Sequence, residues 1–244
     1  MRASGILMPI SSLPSAHGIG AMGAEARRFV EFLSKAGQAY WQILPICPTS
    51  YGDSPYQSFS TFAGNPYFID LDELAKRGLL LPEEYENIDW ESAPDTINYG
   101  ALYEKRYKVL RCAANRLLAK PNAAYRKFVK ENAFWLPDYA LYIILKEANI
   151  GAEWYDWADE DLKLHRPEAV AKAMEEQAET VLFMEFIQYT FFEQWKKIKK
   201  YANSKGVEII GDLPMYVARN SADVWANRHL FDLTEDGEPK NVAG

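Results

Sequence analysis

Two short apolar runs flank one helical stretch at the start of the chain, and no other feature limits the fold as much. Ser4 to Ile10 is the first run, with Pro9 near its end, and it reads as a buried strand. From Gly23 the pattern turns helical: Ala26, Phe29, Val30 and Leu33 share one face, while Arg27, Arg28 and Glu31 lie off it. Gly37 is the expected helix stop, and Ala39 to Ile46 follows at once as a second strand running into Pro45. Strand, helix and strand with short connections form a βαβ unit, so the two strands are parallel. The expected fold class is therefore α/β.

A third strand comes much later. Val207 to Leu213 follows Gly206, a second helix stop, and Asp212 sits at its carboxyl end. A carboxylate there either binds ligand or caps a neighbouring turn. Between strands two and three the chain reads as helical. Tyr103, Tyr107, Leu110, Ala114 and Leu117 recur at helical spacing, as do Tyr125, Phe128 and Val129. Asp138 is placed to cap a short helix through Leu145, and Pro167 opens a long segment to Asn203. Trp154, Tyr155 and Trp157 form an aromatic cluster that reads as a plug between helices. After the third strand Ser221 is placed to cap a helix through Trp225, and Asp236-Gly237 marks a turn. The final Val-Ala-Gly reads as mid-loop.

The stretch from Tyr51 to Tyr67 fits neither period. Gly52, Pro55, Gly64 and Pro66 divide it into turns, and five aromatic rings (Tyr51, Tyr56, Phe59, Phe62 and Tyr67) alternate with short polar residues. Rings beside hydroxyl and carboxylate groups suit a ligand with both apolar and hydroxylated faces, as a sugar has. The alternative is a long loop pinned by buried aromatics. The loop leaves the carboxyl end of strand two, where parallel α/β folds bind ligands.

Composition excludes several other roles. A net charge of -7 argues against a nucleic-acid binder, because phosphate backbones attract basic surfaces. No apolar segment approaches the length of a membrane span, and Pro9 cuts the only run near a signal core. Cys47 and Cys112 lack metal-ligand spacing, and His17, His165 and His229 form no cluster, so neither a metal nor a cofactor is expected. These points favour the cytoplasm. No Gly-x-Ser-x-Gly nucleophile motif occurs, which weighs against α/β-hydrolase chemistry.

Counting strands rejects a complete eight-stranded barrel, although the length would suit one at about 250 residues. Three strands with open apolar edges cannot close. Several blocks carry a resemblance instead. They are Ser4-Gly-Ile-Leu-Met-Pro-Ile-Ser-Ser-Leu-Pro14, Tyr40-Trp-Gln-Ile-Leu-Pro45, Pro48-Thr-Ser-Tyr-Gly-Asp-Ser-Pro-Tyr-Gln-Ser-Phe-Ser60 and Ala63-Gly-Asn-Pro-Tyr67. Later come Glu185-Phe-Ile-Gln-Tyr-Thr-Phe-Phe-Glu-Gln-Trp195, Ile209-Ile-Gly-Asp-Leu-Pro214 and Ser221-Ala-Asp-Val-Trp225. With these in family order, the chain resembles the amino-terminal half of the amylomaltases, the 4-α-glucanotransferases of glycoside hydrolase family 77.

The resemblance implies a partial (β/α)8 TIM barrel, strands one to three, with a large helical insertion between strands two and three. It divides the chain into residues 1–77, the first βα units with the substrate loop 51–67; residues 78–205, the helical insertion; and residues 206–244, the third strand and following loop, ending mid-barrel. It implies transfer of α-1,4-glucan segments between maltodextrins by a retaining double displacement. Maltooligosaccharides and the carboxyl-terminal half of the barrel are the implied partners.

Site roles carry over residue by residue. Asp212 matches a substrate-contacting aspartate after strand three. Tyr56 matches a tyrosine stacked by the donor glucose, with Asp53 and Ser54 placed to meet hydroxyls. Tyr51 and Tyr103 match a pair lining an accessory glucan groove, although Tyr103 also reads as the first residue of its helix's apolar stripe. The family's nucleophile lies in an Arg-x-Asp-His block, and no Asp-His dipeptide occurs in these 244 residues. No catalytic residue is therefore expected here, and nothing supports Asp53 and Asp212 as a substitute pair. The two functional expectations are a piece of a 4-α-glucanotransferase, inactive alone, or a non-catalytic glucan-binding module or scaffold.

Overall fold

A computed structural model of the chain describes residues 2–93 and 95–241; the Val-Ala-Gly terminus lies outside them. The described chain falls into two compact units. The first comprises residues 1–46, 64–126 and 186–213, and the second residues 47–63, 127–185 and 214–244. This division follows compactness, and each unit takes several separate stretches of the sequence.

The first unit is built on a parallel sheet of β1 (Gly5–Leu7), β2 (Tyr40–Gln42) and β3 (Glu208–Ile210), in the order β1-β2-β3. All three strands are shorter than the apolar runs that predict them. Pro9, Pro45 and Pro214 stand just beyond and cannot donate to a ladder. The pairing runs one residue further, with Met8 N–H donating to the Gln42 carbonyl and Ile43 N–H to that of Ile210. Gly37 and Gly206, with φ of 68° and 75°, end the helices that lead into β2 and β3, a backbone conformation open to glycine.

Among the described residues one face of the sheet is covered and the other is exposed. The register row Ile6–Trp41–Ile209 is the sheltered one, with Trp41 wholly buried at its centre. Its indole meets Phe29 edge-on at 5.2 Å, on α1 (Ala24–Lys35), and donates to the Met8 carbonyl at 2.8 Å. On the other face Leu7 and Ile210 are exposed. The expectation of a buried strand at Ser4 to Ile10 is corrected accordingly: within the strand Gly5 and Leu7 are exposed and Ile6 is half-buried, and full burial comes only at Ile10, beyond it.

Long helices supply the rest of this unit's core. They are α3 (Tyr99–Leu118) and the carboxyl-terminal part of α8 (Ala178–Ser204), with the shorter α2 (Leu71–Lys76). Along α1 the buried residues are Ala26, Val30 and Leu33, as the helical pattern predicts. Tyr201 of α8 donates to Glu31 of α1 at 2.7 Å, and Ser34 donates to the Lys205 carbonyl. Asp70 caps α2 by accepting the Glu73 N–H at 2.8 Å. Its own backbone is paired by Gln194, which accepts from Asp70 N–H at 2.7 Å and donates to its carbonyl at 3.0 Å. Arg106 of α3 is fully buried and donates to the carbonyls of His17, Tyr67 and Ile69. Burial lowers its pKa to about 10, which still leaves it charged at neutral pH, with the Asp70 charge opposing the shift.

The second unit centres on an aromatic cluster. Tyr142 of α5 (Leu136–Ala148) lies 5.8 Å from Trp157 and 5.9 Å from Trp225 of α9 (Ala222–Ala226), and the two tryptophans are 5.6 Å apart. Their polar ends are satisfied: Trp225 donates to the Leu162 carbonyl at 2.8 Å and Tyr142 to Asn220 Oδ1 at 2.6 Å. Trp154 and Trp157 are buried, as expected of a plug. Two helix expectations need adjustment. Asp138 lies in the first turn of α5 rather than at its cap, and its carboxylate meets His165 Nε2 at 3.0 Å. The segment from Pro167 is two helices, α7 (Pro167–Glu176) and α8, parted at Gln177.

Candidate functional site

The loop after β2 has two characters. In the second unit, Gly52, Asp53, Tyr56 and Gln57 are exposed, while Ser58 and Ser60 are buried. The exposed part is a tight turn. Asp53 N–H donates to the Ser50 carbonyl at 3.1 Å, and Gly52 and Asp53 both take left-handed φ, 66° and 54°. Aspartate tolerates that conformation better than most residues. Ser54 Oγ accepts from the Tyr56 N–H at 3.3 Å, which fixes the serine oxygen close to the tyrosine backbone. Tyr56 is 46 % exposed. The turn therefore gathers three of the expected site residues, Asp53, Ser54 and Tyr56, on one accessible surface. Tyr51 opens the same turn, but its side chain lies outside the described residues.

Ser58 and Ser60 spend their hydroxyls within the protein. Ser58 Oγ donates to the Ser60 carbonyl at 2.8 Å and accepts the Ser60 N–H at 3.2 Å. Ser60 Oγ accepts from Phe62 N–H at 3.1 Å and from Ala63 N–H at 3.4 Å. It also donates to Asp223 of α9 at 3.3 Å, and the other Asp223 oxygen accepts the Thr61 N–H at 2.7 Å. Phe59 packs 6.3 Å from Tyr142, with the Lys146 ammonium 5.3 Å from its ring. These residues are the fixed base of the loop. The loop is pinned from below, as the second reading expects, but by buried serines rather than buried aromatics: Phe59 is half-buried and Phe62 is exposed.

Asp223 is the residue sequence reasoning missed. The block Ser221-Ala-Asp-Val-Trp225 suggested a cap, and Ser221 Oγ does accept the Val224 N–H at 3.3 Å. A carboxylate between the core residues Ala222, Val224 and Trp225 was the further signal. Burial pushes its carboxyl above the ordinary range, and the bonds from Thr61 and Ser60 pull the other way. Cys47 also belongs to this base. Burial raises its thiol to about 11, and its sulfur lies 3.9 Å from the Thr61 carbonyl.

The first unit carries the other two expected residues. Asp212 follows Gly211 beyond β3, at the carboxyl rim of the sheet, and is partly buried. Tyr103 is 57 % exposed on α3, whereas Leu110, Ala114 and Leu117 of the same stripe are core. It is thus set apart from the packing stripe, with Tyr107 6.0 Å away. The loop's last stretch enters this unit at Gly64. Gln188 of α8, fully buried, accepts the Gly64 N–H at 2.7 Å and donates to its carbonyl at 3.0 Å. Among the described residues, no group of three or more His, Cys, Asp or Glu is arranged to hold a metal. Likewise no described helix is long and apolar enough to cross a membrane.

A family profile described as 4-alpha-glucanotransferase, glycoside hydrolase family 77, matches residues 8–242. The chain belongs to this family. A 4-alpha-glucanotransferase of Clostridium butyricum is 47% identical over 238 residues, 97% of this chain and 49% of the relative. One of Thermus thermophilus is 44% identical over 248 residues, 100% of this chain and 48% of the relative. Among solved structures, amylomaltase from Streptococcus agalactiae in complex with acarbose superposes with a TM-score of 0.96 at 41% identity, covering 100% of this chain and 50% of that one. The chain spans about half the length of the curated relatives it matches. The three-stranded parallel sheet and its helices are thus the 4-alpha-glucanotransferase fold over that half.

Proposed function

We propose that the protein bearing this chain is a 4-α-glucanotransferase that moves α-1,4-glucan segments from one maltodextrin to another. The match over the whole chain to enzymes of that activity, one solved with acarbose, supports the reading most directly. In this reading β1 to β3 are the first strands of a (β/α)8 barrel, and residues 78–205 are a helical insertion between the second and third. Residues 1–77 and 206–244 supply the barrel portions, and a carboxyl-terminal half completes it. The protein works in the cytoplasm on maltooligosaccharides.

The chain's own residues bind and orient sugar. The Asp212 carboxylate accepts hydrogen bonds from glucose hydroxyls at the sheet's carboxyl rim. Tyr56 presents its ring to a donor glucose, and Asp53 and Ser54 meet hydroxyls at the ring edge. Tyr51 and Tyr103 line an accessory groove for longer glucans. Cleavage with retention needs a nucleophilic carboxylate and an acid/base carboxyl about 5–5.5 Å apart. A second sugar hydroxyl then takes the place of water, releasing the nucleophile and forming a new glycosidic bond. The Arg-x-Asp-His block that carries the family nucleophile is not in these residues, so the chain alone binds glucan and does not turn it over.

Incubation with maltotriose tests both parts. A protein extended to its relatives' length is expected to convert two maltotriose molecules into glucose and maltopentaose, and the 244-residue chain to yield neither. Glucose and longer dextrins from the chain alone would overturn its assignment as a binding half.

A further inference from the structure

Asp223 departs from the pattern that fills the rest of α9. Ala222, Val224 and Trp225 on either side of it are core residues, and a carboxylate among them is kept only at a desolvation cost. Its two oxygens are both committed to the loop after β2. Oδ2 takes the Thr61 N–H at 2.7 Å and Oδ1 the Ser60 hydroxyl at 3.3 Å. One residue earlier, at the start of α9, Ala222 N–H donates to the Phe59 carbonyl at 2.8 Å. Three consecutive loop residues are therefore tied to two consecutive helix residues. The helix end itself is fixed, because Ser221 caps it and Trp225 is anchored on Leu162.

The chemistry of this anchor calls for a carboxylate. Ser60 Oγ already accepts from Phe62 and Ala63 N–H, so its own proton must find an acceptor. Thr61 N–H needs a second acceptor at the same place. Asparagine offers one oxygen, and its NH2 would face a serine oxygen that has no lone pair left to give. Asp223 meets both demands, while the turn with Asp53, Ser54 and Tyr56 is displayed just before this base.

We infer that Asp223 is a positioning residue for glucan recognition: its carboxylate fixes where the Asp53–Ser54–Tyr56 turn stands and acts on the sugar only through that turn. The inference rests on reading the turn as a glucan-binding surface. Ser60 is the relay: Ser58, whose hydroxyl donates to the Ser60 carbonyl and accepts the Ser60 N–H, carries the position of Asp223 back toward the turn, and Phe62 and Ala63 N–H hold its far side.

The test compares the 244-residue chain with its Asp223→Ala, Asp223→Asn and Ser60→Ala variants, by amide hydrogen exchange and by calorimetric titration with maltotriose. Asp223→Ala is expected to speed exchange at the Thr61 and Tyr56 amides and to weaken maltotriose binding about ten-fold, with α5 and α9 protected as in the parent. Asp223→Asn should restore protection at Thr61 and recover part of the affinity. Ser60→Ala should loosen Phe62 and Ala63 while leaving α9 intact. Parent-like exchange and affinity in Asp223→Ala would overturn the inference, and so would faster exchange spread through the whole second unit. Should Asp223→Ala fail to fold, Asp223→Asn and Ser60→Ala decide by the same criteria. A parent chain that does not bind maltotriose refutes the glucan reading instead, and exchange at Tyr56 then decides alone whether Asp223 fixes the turn.

Discussion

Gln188 holds Gly64 from both sides, accepting its N–H at 2.7 Å and donating to its carbonyl at 3.0 Å, in a fully buried setting. Gln194 treats Asp70 the same way. A primary amide sets an NH2 donor beside a carbonyl acceptor, which is what an isolated backbone residue lacks when it leaves secondary structure. Two glutamines on α8 therefore stand in for a neighbouring strand. They let an irregular chain lie in the core of the first unit with its backbone satisfied.

Gln188→Ala would leave both Gly64 groups unpaired. The expected loss is about 2–4 kcal/mol, read as a shift of the urea midpoint, and Gln194→Ala should cost less because that site is only part-buried. Equal stability of Gln188→Ala and the parent would show that water reaches Gly64.

Gly64 admits no side chain. A Cβ there would lie 2.0 Å from the ring of Phe191, which is itself fully buried. Gly64→Ala is expected to cost about 3 kcal/mol by overpacking. Phe191→Leu introduced into the same variant should recover part of that loss, giving a measurable coupling between the two positions.

Glu73 makes stability depend on acid. Hydrogen bonds from Arg27 at 3.1 Å and Lys76 at 3.0 Å lower its pKa from 4.5 to about 2. A depressed carboxyl stabilises the fold at pH values above its unfolded pKa, and that contribution is lost as pH falls through the folded one. Both cations are partly solvated, so Glu73→Gln should cost only about 1 kcal/mol at neutral pH. Urea melts of the two proteins are expected to converge between pH 4.5 and 2 and to coincide below that.

On the proposed function, Asp212 and Tyr103 make two different kinds of sugar contact. In a protein of the relatives' length, Asp212→Asn should lower maltotriose turnover about 10- to 100-fold at an unchanged melting temperature, because the substitution is nearly isosteric. Tyr103→Ala should instead weaken binding of long glucans by about 1 kcal/mol and spare maltotriose. Equal losses on the two substrates would contradict an accessory groove at Tyr103.

Periodicity made α1 and the stripe of α3 legible, because both helices bury one face against a continuous core. Gly37 and Gly206 announced the starts of β2 and β3 for a local reason, the left-handed turn that ends a helix. The break at Gln177 had no such signal, since neither glycine nor proline marks it. The loop was legible as a class and not in its division of labour. Ser54 and Ser58 look alike in sequence, and only the placement of Ser60 and Asp223 decides that one is displayed and the other buried. Gln188 stayed hidden for the same reason: its partner is backbone, which leaves no trace in residue type.

The central position of β2 also sets a clock. β1, α1 and β2 are adjacent in the chain and can assemble early, but the second partner of β2 is β3, and everything from Ile43 to Val207 must be made first. At about 5–20 residues per second of synthesis, that wait is on the order of ten seconds. Throughout it the row of N–H and C=O groups on the far side of Trp41 stands open to any passing strand. Parallel pairing at such separation is slow to close. The nascent chain thus meets its greatest risk of misassembly before the helix that leads into β3 is complete, and folding yield should respond more to translation rate and chaperone supply than to the stability of the finished sheet.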